Sequence, residues 1–492
     1  MTDPFPADQM IDEDEFRRLG ERVVTMANTH LRDVVNDPIR PDLSPDTLDV
    51  LLNQPLPETG SDPDSILDFA AEHILSQPRG NGNPGFYGWV ISPPAHMPVL
   101  TEMLSAAANI ACGGGFHGAI VLERCVVGWL KALMGFTNPE AHGVLTSGGS
   151  MANLTALAAA RHRVAERLGW DIRKDGLQGG PRLVLYAGGE VHACVRKAVE
   201  LMGLGSDAIR QIPTDDNFHM DLRELSELIE KDKENDLHPF CVVGSAGTVN
   251  TGAIDDLDGL ADIAERDGLW LHVDGAYGAF GILDSGLASQ FAGLARADSL
   301  ALDPHKWMAV PIECGCVLVR DAANLRDTFS LIPPYIRVDG PDSRDELGPP
   351  MEYSFPLTRS YRAFKVWATL MHIGREGLAK TVTRHNQLAR HLAEVVGGRD
   401  ELELLAPVDL SIVCFRYAPA ALRGDDERLN ALNKAVLAKI QADGEAYPSQ
   451  TVLNGQFAIR ANIMHYATSR QHVERLAELV VEAGEGLARA NQ

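Results

Sequence analysis

Four short runs carry side chains that could act together on one small molecule. The first is Gly143-Val144-Leu145-Thr146-Ser147-Gly148-Gly149-Ser150, which opens an Ala- and Leu-rich stretch, Met151–Arg163. A strand end that feeds a small-residue turn and then a helix presents free backbone N–H groups and a positive dipole end, and both suit a phosphate. Gly149 lets an anion approach and Ser150 adds a hydroxyl donor; read alone, the same run is equally a plain helix cap. It lacks the Gly-Lys-Ser/Thr of a nucleotide P-loop, and Leu145 stands where a hydrolase nucleophile elbow requires glycine. The second run, Leu269-Trp270-Leu271-His272-Val273-Asp274-Gly275-Ala276-Tyr277, delivers one carboxylate at the end of an apolar strand. A lone Asp there is more often a cap or turn residue. The third, Leu302-Asp303-Pro304-His305-Lys306-Trp307, sets a lysine and a histidine among apolar neighbours. A lysine acts as a nucleophile once an enclosed site has lowered its pKa, although most lysines are surface charges. In the fourth, Gly188-Gly189-Glu190-Val191-His192-Ala193-Cys194, the imidazole of His192 follows a strand and could stack on a flat ring or be structural.

The joint occurrence decides between these readings. A phosphate turn, a strand-end Asp and, about thirty residues further on, an enclosed Lys fit pyridoxal 5'-phosphate. Lys306 would hold it as an imine, Asp274 would keep its pyridine nitrogen protonated, and His305 could reach its phosphate. These residues must then share one edge of a sheet. Arg182–Ala187, Phe240–Ser245, Leu269–Asp274 and Gly315–Val319 read as short buried strands, with helices such as Met151–Arg163 and Leu257–Arg266 between some of them. That alternation predicts an α/β fold with a mainly parallel sheet covered by helices on both faces, binding its ligand beyond the carboxyl ends of the strands. Residues 14–35 and 63–75 read as amphipathic helical arms with no core of their own. Residues 338–350, rich in Asp, Gly and Pro, read as an exposed loop. A helix from about Ser360, strands near Leu410–Tyr417 and Gln456–Ile463, and helices near Asp426–Ala442 and from Gln471 predict a smaller α+β domain. The division drawn is 1–88 arms, 89–358 large domain and 359–492 small domain.

At these residues the chain resembles the group II pyridoxal-dependent decarboxylases, which include aromatic-L-amino-acid and glutamate decarboxylases. The His-Val-Asp-x-Ala-Tyr run and the Pro-His-Lys-Trp run are the most specific marks, and the resemblance spans about residues 15–485. It implies the type I pyridoxal-phosphate fold with a seven-stranded sheet, and a homodimer with shared active sites whose N-terminal helices clasp the partner. It implies that Lys306 carries the cofactor, that Asp274 partners the pyridine nitrogen and that His192 stacks on the ring. Gly149, Ser150 and His305 match phosphate-contacting positions, Ala276 a small residue beneath the ring and Thr248 a cofactor contact. Tyr335, in Leu331-Ile332-Pro333-Pro334-Tyr335, matches the loop tyrosine that protonates the carbanion, which favours simple decarboxylation over oxidative aldehyde synthesis. The chain departs from the pattern in three places. Val249 replaces a second threonine after Thr248, Asp303 stands where many members have Asn, and Asn83-Pro84 replaces a His-Pro pair.

Composition narrows the class. The chain has 492 residues and a formal net charge of -24, which disfavours nucleic acid and anionic membranes as partners. No signal segment opens the N-terminus, no apolar run approaches a membrane span, and seven cysteines suit free thiols in a reducing cytoplasm. No His-Glu-x-x-His or paired Cys-x-x-Cys supports a metal, and Cys314 and Cys316 read as buried thiols. The segments expected near the substrate, 83–90 and 112–120, contain Phe86, Tyr87, Phe116 and His117 but no Lys or Arg. An acidic substrate side chain would want a cation there, so an aromatic or apolar L-amino acid is favoured over glutamate. An aldehyde synthase on the same fold is the enzymatic alternative. A cofactor-sensing regulator would require a basic DNA-binding module, and the first 80 or so residues are acidic.

Overall fold

Short apolar runs bounded by Gly, Ser or Asp form the strands, and their near-complete burial explains why they read as continuous rather than alternating patterns. A computed structural model describes residues 11–39, 44–76, 80–331 and 348–490. In chain order the strands are β1 (Phe86–Tyr87), β2 (His142–Thr146), β3 (Leu183–Gly188), β4 (Ile209–Ile212), β5 (His238–Ser245) and β6 (Trp270–Asp274). They continue as β7 (Ser299–Leu302), β8 (Gly315–Val319), β9 (Leu402–Leu404), β10 (Ile412–Tyr417), β11 (Tyr447–Leu453) and β12 (Gln456–Asn462).

Seven of these form one sheet in the order β2-β8-β7-β6-β5-β3-β4. Only β8 runs against its neighbours, β2 and β7. Alternate side chains enter two cores. Leu271, Val273, Leu300 and Leu318 join one, and Trp270, Ala301, Val317 and Val319 join the other, which is closed by the alanine-rich helix Gly149–Arg167. Asp274 shares the parity of Trp270 and His272, so it lies on the face covered by that helix.

The second sheet has the order β1-β11-β12-β10-β9, with β1 parallel to β11 and the rest antiparallel. The helices Asp426–Asp443 and Arg470–Ala490 cover it. Two features cross the divisions drawn from sequence. Phe86–Tyr87, assigned to the arms, is a strand of the C-terminal sheet. The helix Arg362–Gly397 belongs to both halves: Ala363 and Val366 enter the large core, Leu388 and Leu392 the small one. It breaks at Gly374, whose φ of 66° is left-handed backbone that glycine adopts readily.

The helix Glu13–Asp33 is capped by Asp12, which accepts from the N–H of Glu15. It buries only Leu19, while Phe16, Val23 and Val24 stay exposed. Arg18 and Arg22 tie it to Asp64 on the helix Pro63–Phe69. Among the described residues these two helices bury one apolar side chain, Leu19, between them. No helix among the described residues is long and apolar enough to cross a membrane.

Candidate active site

The strand register brings the chemistry-bearing residues to one edge. Thr146 pairs with Gly315, Ser245 with Asp274, and Asp274 with Ala301, so the strand ends align. The turns beyond them line a cavity of about 730 Å³, closed on its far side by Tyr447, Ser449 and Arg460 of the smaller sheet. Lys306, Asp274, His192 and Ala276 line this cavity, as do Gly149, Ser150, Thr248 and His305.

The anion cradle is the start of the helix Gly149–Arg167. Its N-cap, Gly148, offers no side-chain cap, and Met151 already donates to the Gly148 carbonyl, so the N–H groups of Gly149 and Ser150 are the ones that remain for a ligand among the described residues. A Cβ on Gly149 would lie 2.7 Å from Asp303 Oδ2 and 3.0 Å from Ala276 Cβ, which is why the position tolerates no side chain. A buried chain of hydrogen bonds fixes this turn from below. Asn153 Nδ2 donates to the Gly149 carbonyl at 2.9 Å, and His272 Nε2 meets Asn153 Oδ1 at 2.6 Å. Ser299 Oγ meets His272 Nδ1 at 2.8 Å and accepts from Trp270 Nε1 at 2.7 Å. Burial lowers the pKa of His272 to about 4, so the ring is neutral and each member of the chain is satisfied.

Opposite the cradle, Asp274 is buried and accepts from the N–H of Ala276 at 3.2 Å. His192 caps the helix Ala193–Leu201 through Nδ1, which accepts from the N–H of Cys194 at 3.2 Å. A neutral ring therefore carries its proton on Nε2. Although His192 opens onto the cavity, desolvation lowers its pKa, against the pull of Asp274. Lys306 Nζ lies 2.8 Å from Asp303 Oδ2. Burial alone would lower the lysine pKa, but the Asp303 carboxylate outweighs it and the net shift is upward. His305 Nδ1 is held 2.7 Å from the Cys314 carbonyl, and burial lowers its pKa. Thr248 spends its hydroxyl inside its own loop, at 2.9 Å from Thr251 Oγ1 and 3.1 Å from the N–H of Ala253. His192, Cys194 and Asp274 bring ligand atoms within 4.8 Å of one another, a spacing a metal could use. Burial pushes the Cys194 thiol up to about 12, so a metal would first have to displace its proton.

Four residues expected beside the substrate do not line the cavity within this single chain. Phe86 is buried and stacks on Tyr447 at 5.4 Å, and Tyr87 is buried in the core of the smaller domain. The two point to opposite faces of the second sheet and neither lines the cavity, whose wall is reached instead by Trp89 and by Tyr447. Phe116 is exposed and His117 caps the helix Gly118–Leu133; neither lines the cavity of this chain. Tyr335 lies outside the described residues.

Two residues enter that sequence reasoning did not select. Asp303 appeared only as a departure from a motif, yet it is the partner of Lys306. Arg460, on β12, is buried, and its Nη2 has no partner among the described residues. Its Nε donates to the carbonyls of Val249 at 2.9 Å and Asn250 at 3.1 Å, and Nη1 to that of Trp89 at 3.0 Å. The available signal was a lone cation inside an apolar strand, Gln456–Asn462.

The donor set suits pyridoxal phosphate: a helix-start cradle, a buried carboxylate on a strand end, a flat imidazole and an enclosed lysine around one space. Comparison with known proteins points the same way. Residues 45–418 match the model of the pyridoxal-dependent decarboxylase conserved domain. The chain is 33% identical to an aromatic-L-amino-acid decarboxylase of Bacillus atrophaeus, over 92% of this chain and 91% of that one. It is 28% identical to a phenylacetaldehyde synthase of Petunia hybrida, over 94% and 93%. The crystal structure of Catharanthus roseus tryptophan decarboxylase in complex with L-tryptophan superposes with a TM-score of 0.87 at 25% identity, covering 97% of this chain and 99% of that one.

Proposed function

Because the chain belongs to the pyridoxal-dependent decarboxylase family, we propose that its substrate is an aromatic L-amino acid, converted to the amine and carbon dioxide in the cavity built around Lys306. The observation that carries this reading is the lining of that cavity. Besides Lys306, its one lysine or arginine among the described residues is Arg460. Every amino acid brings an α-carboxylate, and that group satisfies the free Nη2 of Arg460. No second guanidinium or ammonium is left for an acidic side chain. The wall instead presents Trp89 and Tyr447, whose ring centroids are 5.6 Å apart. Flat apolar surfaces of this kind suit an aromatic side chain. The relatives named above for aromatic amino acids support the same class.

Bound pyridoxal phosphate supplies the electron sink into which the electrons of the broken bond pass. The chain does the rest. The N–H groups at Gly149 and Ser150, with Ser150 Oγ and His305, bind the phosphate. Asp274 would keep a proton on the pyridine nitrogen, and His192 and Ala276 would contact the ring. Lys306 would hold the cofactor through its amine. Arg460 orients the scissile carboxylate. Tyr335 returns a proton to the α-carbon, and the aromatic wall keeps water from doing so first.

The test is release of amine and carbon dioxide from purified protein across a panel of tyrosine, tryptophan, phenylalanine, dihydroxyphenylalanine, glutamate and aspartate. Highest kcat/KM for glutamate or aspartate would refute the substrate class. Aldehyde, ammonia and peroxide as main products would refute simple decarboxylation. We further propose a cytoplasmic homodimer. All seven cysteines are free. Leu100, Met103 and Leu104 on the helix His96–Ala108 are exposed, as are Phe355 and Met371, and apolar side chains of this kind suit a subunit interface. In such a dimer Phe116 and His117 would belong to a shared site. Light scattering that gave the mass of one chain at micromolar concentration would contradict it.

A further inference from the structure

The turn between β4 and the helix Leu222–Glu234 holds a histidine between two acids. His219 Nε2 lies 3.2 Å from Asp409 Oδ2, and Nδ1 lies 3.5 Å from Asp215 Oδ2. A neutral imidazole donates from one ring nitrogen only, whereas an imidazolium donates from both, so the geometry fits the charged ring. The turn itself is fixed. Asp215 Oδ1 accepts from the N–H groups of Asn217 at 2.8 Å and His219 at 2.9 Å. Phe218 is buried in the large core with a left-handed φ of 67°, backbone that a bulky residue keeps only where packing enforces it. The charges that act most strongly on the ring are all acidic. Asp215 belongs to its own turn, Asp409 to the segment before β10 and Asp255 to the loop after β5. Among the described residues neither Asp215 nor Asp409 pairs with a lysine or arginine.

Asp409 connects the ring to the cavity. Its Oδ2 also accepts from the N–H of Ile254 at 3.3 Å, at the base of the loop 247–254. Beside it, Leu410 packs so closely on Gly247 and Gly278 that a Cβ there would come within 2.9 Å and 2.5 Å of Leu410 Cδ1. Ser411 Oγ meets Tyr277 Oη at 2.6 Å. Thr248, Val249, Asn250 and Tyr277 line the cavity, and the carbonyls of Val249 and Asn250 hold Arg460 Nε. Resting on the reading that Arg460 takes the substrate carboxylate, we propose that protonated His219 is a positioning residue: it clasps Asp409, sets the loop 247–254 and so fixes Arg460 for the amino acid. Without its proton the ring can serve only one of the two carboxylates, the clasp slackens and the amino acid binds less tightly. Asp409 above all raises the pKa of His219 from the ordinary 6.5, so the clasp is complete below that pH and opens as the pH rises beyond it. His192 and His305, lowered by burial, and Asp255, raised by burial to about 6, titrate below this window.

The experiment measures KM for the amino acid that the substrate panel favours, and Ki for its product amine, on the full chain loaded with pyridoxal phosphate. The amine lacks the carboxylate, so the ratio of KM to Ki isolates the contribution of Arg460. In the native chain this ratio is expected to rise about fivefold between about pH 6.5 and 8.5, the size of a modest coupling between two sites. His219→Gln keeps a donor for Asp409 but does not titrate, so its ratio should stay level across the same range. Asp409→Asn keeps an acceptor for the N–H of Ile254 and removes the charge that the ring clasps. It should level the ratio too, and it decides the matter if the first variant does not fold. A native ratio that stays level, or a rise that either folded variant retains in full, overturns the proposal. KM and Ki that rise together in the native chain and in neither variant would uphold the clasp and refute the role of Arg460, a separate failure.

Discussion

Lys306 is a part-buried cation whose charge is held mainly by Asp303, with Asp274 adding to it. Asp303 raises its pKa where burial would lower it, and its backbone carbonyl is pinned by Ser92 Oγ at 2.6 Å. Removing the amine while keeping that packing should remove the anchor and little else. Lys306→Ala is expected to lose the visible absorbance of the imine and about 10²–10⁴-fold in kcat. Persistence of that absorbance would put the anchor on another amine. Arg460 gives a sharper contrast. Substrates bring a carboxylate and product amines do not. Arg460→Lys keeps a charge but withdraws the Nη2 that has no partner among the described residues. It should weaken amino acid substrates by about 1.5–3 kcal/mol, the worth of a charged hydrogen bond, and leave inhibition by the product amine unchanged. Equal weakening of both would mean that Arg460 only holds the loops it touches. Why one of these residues was legible in sequence and the other was not is a matter of chain distance. Lys306, His305 and Asp274 lie in compact motifs whose spacing is itself information. Arg460 reaches the same cavity from β12, where nothing nearby in sequence marks it.

The elements depend on a few buried polar clips as well as on apolar packing. Arg359 and Glu123 are both about 3% exposed and face each other in a bidentate pair. Arg359 also donates to the carbonyls of Cys112 at 2.8 Å and Leu145 at 2.7 Å, and Glu123 accepts from the N–H of Leu145 at 3.1 Å. One pair thus joins the helix Gly118–Leu133, strand β2 and the segment that leads into the helix Arg362–Gly397. Since β2 feeds the cradle, the clip also sets where the phosphate turn begins. Glu123→Ala leaves a buried guanidinium without its carboxylate and should cost about 3–5 kcal/mol. Urea unfolding of the two proteins checks this, and a loss below about 1 kcal/mol would show that the pair is dispensable. The strands that carry Asp274, His192 and Thr248 were readable because each is an apolar run ending in Gly, Ser or Asp. Others were not. β7 has four residues, too few for a periodic signal, and β11 carries Pro448 near its start, a residue type depleted in strands. Their strand character comes from neighbours: β7 lies between β6 and β8, and β11 between β1 and β12.

At the scale of the whole molecule, buried histidines set how the fold responds to acid. Burial lowers His272 to about 4, His385 to about 3 and His465 to about 4, from an ordinary 6.5. They are spread through the structure. His272 lies under the cradle, His385 accepts from Trp307 Nε1 at 3.0 Å beside the lysine segment, and His465 meets the Gly82 carbonyl at 2.8 Å in the smaller domain. An unfolded chain protonates all three rings near pH 6.5, whereas the folded chain does so only at about 4 or below. Their contribution to stability is therefore complete above pH 6.5 and is lost as the pH falls from there towards 4. Asp255 works in the opposite sense. Burial raises it to about 6 from 3.8, so between pH 6 and 4 the folded chain binds a proton that the unfolded chain does not. That gain on acidification offsets one histidine and leaves the unfolded state ahead by about two protons near pH 5. These four groups then contribute a fall of about 2.7 kcal/mol per pH unit in this window, to which His162, His192, His305 and His472, all lowered by desolvation, add and which the raised His219 and Asp298 oppose. Urea midpoints at pH 7, 6 and 5, at one protein concentration, give the slope. His385→Gln should flatten it by about 1.4 kcal/mol per unit, because one titrating ring is gone while an acceptor for Trp307 remains. A stability that stays level or rises between pH 6 and 4.5 would mean that these rings are not held neutral by the fold.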